Sequence, residues 1–311
     1  MKAFEETEIA VTGGAGFIGS HLCKTLLEHG AKVIAYDDLS TGKIAYIERL
    51  LEKGLKFVRG DIRNSVALEE KTRSCKTIFH LAAQTSVPFS MKNPKEDCEI
   101  NVVGTLNALE IARKADARLV FASSAAVYGN PDKRPTPENY PVHPVSFYGL
   151  SKCLGEDYCR FYYENYGLEV VILRIFNAYG LNCHGVMADF LEKLRMAPAR
   201  LDVLGTGKQS RDFIHVSDLV RFCLLTATSR TAAGQVYNVG FGTTILVSEL
   251  AKKIVDLLGL KGVRISFGSG QAWEGDMLAT HADISKAMKD FHWRPLTGLE
   301  DGLKSLIRRE S

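Results

Sequence analysis

Apolar residues in the first half of the chain fall in short runs separated by longer amphipathic stretches. The runs at 7–12, 32–36, 56–58, 77–80, 118–122 and 169–174 are rich in β-branched and aromatic residues. They are too short for helices and predict strands. The stretches between them carry apolar residues at helical spacing, most clearly over 17–28, 94–115 and 149–166. Gly167 is placed to end the last of these as a C-cap. Strand and helix in alternation predict parallel strands joined by right-handed crossovers, an α/β doubly wound sheet of the Rossmann type. Prolines at 131, 135, 137, 141 and 144 rule out regular structure over 130–144. That segment reads as a rigid loop feeding a helix that begins near Phe147.

Beyond about residue 176 the rhythm changes. Helical patterns at 185–196, 217–229 and 247–259 alternate with short apolar runs at 201–204, 236–239 and 263–267. There is no internal repeat and no flexible linker. Two closely packed units are expected, with a site in the cleft between them. The first, residues 1–176, is expected to hold the Rossmann-type sheet, rejoined by a segment near 213–242. The second, residues 177–311, is expected to be a smaller mixed α/β domain.

Composition narrows the class. With 311 residues, 46% apolar and 24% charged, the chain has the make-up of an ordinary soluble globular protein. A net charge of +3 gives no reason to expect a nucleic-acid partner. Seven scattered cysteines without a Cys-x-x-Cys pair argue for reduced thiols, with neither a disulfide framework nor a metal site. No run has the length of a membrane span, and Met1-Lys2-Ala3-Phe4-Glu5-Glu6 is too acidic for a signal peptide. A cytoplasmic location is the expectation.

The candidate chemistry begins at the end of the first strand, in Thr12-Gly13-Gly14-Ala15-Gly16-Phe17-Ile18-Gly19. A strand that turns through glycines into a helix offers unpaired amides and a positive dipole end to a phosphate. Gly13 permits the tight turn, Gly16 lets the backbone meet a pyrophosphate, and Gly19 lets helix pack on strand. The second strand ends at Asp37, eighteen residues past Gly19. An acid there accepts hydrogen bonds from the adenosine ribose and repels a 2′-phosphate, which favours NAD over NADP.

Two further features belong with that loop. Phe121-Ala122-Ser123-Ser124 puts hydroxyls just beyond the fifth strand, where ligands of open parallel sheets sit. Tyr148 is followed four residues later by Lys152, so phenol and ammonium share one helix face. A neighbouring ammonium favours the phenolate and predicts a lowered tyrosine pKa, suiting Tyr148 to act as a base.

With these motifs, and with Asp37-Asp38-Leu39-Ser40-Thr41-Gly42, Gly60-Asp61-Ile62, His80-Leu81-Ala82-Ala83-Gln84, Arg174-Ile175-Phe176-Asn177, Arg211-Asp212-Phe213-Ile214-His215-Val216 and Tyr237-Asn238-Val239-Gly240, the chain resembles the extended short-chain dehydrogenase/reductases. Within them it is similar to the nucleotide-sugar epimerase/dehydratase group, over about 8–306. The resemblance implies that Asp37 holds the adenosine ribose and that Asp61 and Ile62 line the adenine pocket. Leu81, Ala82 and Ala83 would pass beneath the cofactor, and Asn101 would brace its surroundings. Phe17, Ile18, Asp38, Ser40, Thr41 and Gly42 join the implied cofactor-binding set. Lys152 would hydrogen-bond the nicotinamide ribose, and Ser124 and Tyr148 would face the sugar 4-hydroxyl. Asn177 and Arg211 would contact the nucleotide diphosphate, with Asp276 also on the substrate. The bland alternative for Arg211 is a surface ion pair with Asp212.

The implied reaction is NAD-dependent 4-epimerisation of a nucleotide sugar through a transient 4-keto sugar, with a UDP-hexose as the expected partner. Related dehydratases carry an Asp-Glu pair after the catalytic hydroxyl, and related decarboxylases usually carry a glutamate in this segment. Here Ala125 and Ala126 stand there. Methyl groups move no protons, which favours epimerisation over both relatives. Another 4-keto-forming activity, or a non-catalytic NAD-binding sensor or scaffold, stays open. Three departures stand out against the family pattern: Phe147 in place of a common proline, a shortened Leu-Asn-Cys-His-Gly after Tyr179-Gly180, and Trp273 in place of an arginine. Trp273 is expected to be buried in the smaller domain, the alternative being a stack on a base or sugar. Thr280 falls where the family gates the room around the sugar C2 substituent, so N-acetylhexosamines are candidate substrates. Helices 94–115 and 149–166 resemble a family dimer interface and imply a homodimer.

Overall fold

The computed structural model describes residues 4–310, so the outermost residues of both expected domains lie outside it. Strands β1 (Glu8–Thr12), β2 (Lys32–Asp37), β3 (Lys56–Arg59), β4 (Thr77–His80), β5 (Arg118–Ser124) and β6 (Val170–Ile175) share one sheet. The strand Val236–Val239 returns from the second half of the chain to complete it. The order of the seven strands is Val236–Val239, β6, β5, β4, β1, β2, β3, and all pairs are parallel. The order reverses between β1 and β4, and such a switch point opens a crevice at the strands' carboxyl ends.

Side-chain alternation along the strands divides the core between the two faces. Ile9 and Val11 of β1 pack with Leu22 and Leu26 of α1 (Phe17–Glu28) and with Phe222 of the helix Val216–Thr228. Ala10 packs instead with Leu109, Phe121 and Cys159 on the opposite face. The helix Phe147–Tyr166 covers that second face and ends at Gly167, whose φ of 68° is the left-handed C-cap read from the sequence. The second unit has its own core, where Met187, Phe190 and Leu194 of Val186–Met196 meet Leu250 and Ile254 of Val247–Leu257. Beneath them Arg200–Val203 pairs in parallel with Arg264–Phe267.

The structure departs from the sequence pattern in places with physical causes. The helix read over 94–115 contains a π turn, Glu99–Val103, between α-helical pieces Pro94–Cys98 and Gly104–Lys114. One extra residue per turn does not disturb apolar spacing enough to show in the sequence. The short strands Asn177–Tyr179, Ser210–Arg211, Phe213–His215 and Ile245–Leu246 are too brief for a period-2 pattern. Trp273 is 38% exposed, against the expectation of burial; the tryptophan in the core is Trp293, at 1%. Among the described residues no helix is long and apolar enough to cross a membrane, and no group of three or more His, Cys, Asp or Glu could hold a metal ion.

Candidate active site

A cleft of about 730 Å³ opens at the carboxyl ends of the strands, at the switch point. From the predicted set it is lined by Gly13, Gly16, Phe17, Ile18, Gly19, Asp37, Asp38, Ser40, Thr41, Asp61, Ile62, Leu81, Ala82, Ala83, Ser124, Tyr148 and Lys152. Gly42, Asn101, Asn177, Arg211 and Asp276 are not part of that lining.

The glycine turn is shaped by close approach. Gly13 has a φ of 71°, and a Cβ there would lie 2.8 Å from the Ala82 backbone nitrogen. A Cβ at Gly19 would overlap the Gly13 carbonyl oxygen. Gly16 caps α1 without any side-chain hydrogen bond, and the first turn of α1 contains no acidic residue. The helix therefore offers its amides and its positive end to the cleft. At the end of β2, Asp37 Oδ2 accepts from Ala15 N–H at 3.0 Å and Oδ1 from Leu39 N–H at 2.8 Å. These bonds fix the carboxylate, while burial pushes its pKa above the ordinary value. Gly42 packs behind it, where a Cβ would come 2.7 Å from Asp37 Oδ1.

At the other end of the cleft the helix Phe147–Tyr166 begins with Ser146 as N-cap, its Oγ accepting from Gly149 N–H at 3.1 Å. Ser124 Oγ accepts from Ala126 N–H at 3.1 Å and caps the 3-10 turn Ala125–Tyr128. Lys152 Nζ donates to Ala122 O at 3.0 Å and lies 5.1 Å from the Phe121 ring centroid. Desolvation moves the pair in opposite directions. It lowers Lys152 to about 8, and it raises Tyr148 above the usual phenol value despite a hydrogen bond with Ser124. The lowered tyrosine pKa expected from the Tyr148–Lys152 spacing is thus not found in the free protein. Burial dominates over the Ser124 hydrogen bond, and the ammonium donates to a backbone carbonyl and not to the phenol.

The predicted substrate residues outside the cleft lining, Asn177, Arg211 and Asp276, form a cluster of their own. Arg211 Nη2 donates to Asp276 Oδ1 at 2.7 Å, and both are buried. Arg211 is therefore paired with Asp276, not with the adjacent Asp212. Asp212 accepts instead from the amides of Phe241, Gly242 and Ala282, and burial raises its pKa to about 6. Asn177 Nδ2 donates to Thr280 Oγ1 at 3.0 Å, and the same hydroxyl accepts from Asp212 N–H at 3.1 Å. Thr280 is 4% exposed and bonded on two sides.

Among the residues that escaped the sequence reading, two sets stand out. His184 and Gly185 line the cleft from the second unit, in the shortened segment after Gly180. Glu156, one helical turn beyond Lys152, accepts from Ser123 Oγ at 2.5 Å and from Arg174 Nε at 2.9 Å. A carboxylate four residues after Lys152, and an arginine inside the apolar strand β6, are the signals that could have found this buried pair.

A glycine turn, a backbone-held carboxylate at the next strand end and a Ser, Tyr and Lys grouping over one crevice define a dinucleotide-binding α/β enzyme of the extended short-chain dehydrogenase/reductase class. The chain belongs to the NAD dependent epimerase/dehydratase family, whose model matches residues 9–240. It is 38% identical to a putative UDP-glucose 4-epimerase of Methanocaldococcus jannaschii, over 96% of this chain and 97% of that protein. The UDP-glucose 4-epimerase of Thermotoga maritima, solved with UDP-glucose, superposes with a TM-score of 0.91 at 33% identity, covering 97% of this chain and 98% of that one. A dTDP-glucose 4,6-dehydratase of Streptomyces venezuelae, solved with NAD, gives 0.90 at 32% identity, with 98% of each chain covered. NAD is the cofactor of the family, and this cleft fits it. The cradle at Gly13 has no room for a side chain, the α1 amides face the cavity, and Asp37 disfavours a 2′-phosphate.

Proposed function

We propose that the chain is an NAD-dependent 4-epimerase of nucleotide sugars, with UDP-glucose and UDP-galactose as its substrate pair and UDP-N-acetylhexosamines as further candidates. The observation that carries this reading is the turn after Ser124. Ala125 and Ala126 are buried there at 4% and 5%, and the Ala126 amide is tied to Ser124 Oγ. The carboxylates lining the cleft are Asp37, Asp38, Asp61 and Glu96, and none follows Ser124. Loss of water from a keto sugar needs an acid and a base beside C5 and C6, and this turn supplies neither.

In this reading NAD, when bound, supplies the two-electron redox chemistry at the sugar carbon. Tyr148 takes and returns the proton of the 4-hydroxyl, with Ser124 sharing that hydrogen bond. Lys152 supplies a positive charge behind the phenol and a donor toward the cofactor's ribose. Arg211, Asn177 and Asp276 hold the nucleotide diphosphate and its ribose once Asp276 yields part of its bond to Arg211.

Proton NMR of the purified protein with UDP-glucose and with UDP-GlcNAc, without added cofactor, tests the proposal. New galactose-type anomeric signals are expected. A 6-deoxy methyl signal would overturn it in favour of dehydration. We also propose a homodimer, because Leu150, Leu154, Tyr158 and Phe161 leave an apolar stripe exposed on the helix Phe147–Tyr166, beside Val103. Leu154→Glu is expected to convert dimer to monomer in light scattering after size exclusion. A wild-type monomer in that measurement would refute the dimer.

A further inference from the structure

Beneath the helix that carries Tyr148 and Lys152 lies a buried carboxylate to which the site described so far gives no task. Asp97 is 1% exposed and sits in the helical turn Pro94–Cys98, two residues before the π turn. Its Oδ1 accepts from Gln84 Nε2 at 2.8 Å and from Asn101 Nδ2 at 3.2 Å. Both partners are neutral amides. Asn101 Nδ2 reaches on to Ser151 Oγ at 3.0 Å, and Ser151 Oγ donates to the Tyr148 carbonyl at 3.0 Å. Asn101 Oδ1 closes the loop by accepting from Gln84 N–H at 2.9 Å. A continuous polar chain thus runs from Asp97 into the first turn of the helix Phe147–Tyr166.

A buried charge without a partner is costly and calls for a compensating charge nearby. Lys152 is the matching case, 3% exposed with a single hydrogen bond, to a neutral carbonyl. The two charges lie on packed helices, and the field of Asp97 acts on both Lys152 and Tyr148. The other titratable groups around them do not substitute. Lys92, Lys95 and Glu96 are exposed, and Glu99 is engaged with Lys95 and Arg63 at 3.9 Å. His80, the last residue of β4, is held neutral by burial, its pKa pushed down to about 3, and the Cys159 thiol is pushed up by burial.

We propose that Asp97 is the counter-charge of Lys152, a positioning residue that acts through Gln84, Asn101 and Ser151 and sets the protonation of the Tyr148–Lys152 pair without touching the reacting groups. The proposal rests on the reading of that pair as the acid–base machinery. In this arrangement Asp97 holds Lys152 protonated against desolvation and delays ionisation of Tyr148 in the free enzyme, so that the phenolate forms when a further positive charge enters the cleft.

The test is the pH dependence of kcat in wild type, Asp97→Asn and Asp97→Glu, together with the tyrosinate absorbance difference between each protein and its Tyr148→Phe counterpart. Removing the negative charge lowers the pH at which Tyr148 ionises and the pH at which Lys152 is lost. Both limbs of the profile, and the tyrosinate transition, are expected to move to lower pH by about one unit in Asp97→Asn. Asp97→Glu is expected to keep them near the wild-type positions. Asp97→Ser, which leaves room for a water, is the second neutral variant should Asp97→Asn not fold, and the same shift is expected. A fall in kcat with unmoved limbs and an unmoved tyrosinate transition would leave Asp97 a packing residue and overturn the proposal. Full turnover in Tyr148→Phe alone would instead overturn the acid–base reading beneath it.

Discussion

The sheet side of the cleft and the polar cluster in the second unit handle polar groups in opposite ways. On the sheet side the groups facing the cavity are fixed by the backbone and remain available: Asp37 is held by two amides and still lines the cleft, and the α1 N-terminus is uncapped by any side chain. In the second unit the charged and polar candidates satisfy one another, Arg211 with Asp276 and Asn177 with Thr280. A preformed cradle suits a cofactor that stays bound. Groups that must trade one partner for another suit a ligand that comes and goes, because the internal bond replaces the lost one each time it leaves.

The largest effect should come from separating cradle from chemistry. Tyr148→Phe is expected to lower turnover by a factor of about a hundred to ten thousand while NAD released on denaturation stays at the wild-type amount. Gly13→Val, which forces a β-branched residue into a left-handed turn against Ala82, should do the reverse and empty the protein of NAD. Equal NAD loss in both variants would erase the distinction between cradle and chemistry.

Next in size is the Arg211–Asp276 pair. Asp276→Asn strands a buried guanidinium and should destabilise the ligand-free protein by about 3 kcal/mol in chemical denaturation. Nucleotide diphosphate should recover part of that loss by offering Arg211 a new partner. If added UDP gives the variant no more protection than the wild type, the exchange of partners does not occur.

A smaller effect is expected at Lys152, whose pKa is lowered to about 8 by burial. The unfolded chain then binds more protons than the folded one between about pH 8 and the ordinary lysine value near 10.4, so wild-type stability rises across that window. Lys152→Met in an Asp97→Asn background removes the buried ammonium together with its proposed counter-charge. It should abolish turnover yet raise the melting temperature at neutral pH, with the gain shrinking as pH climbs through the window. A variant less stable than wild type at neutral pH would show that the ammonium is well compensated in the fold.

How much of this was legible beforehand follows the same division. The sheet side could be read because its rules are local. A glycine turn, an acid at the next strand end and a Tyr/Lys pair at helical spacing each state their geometry in a few residues. The Arg211–Asp276 pair was not legible, because sixty-five positions separate its members and only the fold brings them together. Ala125 and Ala126 were informative for the chemistry they lack. Trp273 misled because a large apolar side chain is assumed to seek the core, whereas here it lies in a loop at the surface. Asp97 was missed because nothing around it in the sequence distinguishes a buried acid from a solvated one, and Glu156 because only the fold brings it to Arg174.

The strand Val236–Val239 has a bearing on how the protein is made. It pairs with β6 along Ile172–Ile175, and until it arrives the strand Val-Val-Ile-Leu-Arg-Ile is a bare edge of almost wholly apolar backbone. During synthesis about sixty residues of the second unit must leave the ribosome before that edge can be covered, at roughly 5–20 residues per second. A nascent chain halted near residue 176 therefore exposes a template for aggregation, and the piece that looks most like an independent domain is the one least fit to fold alone.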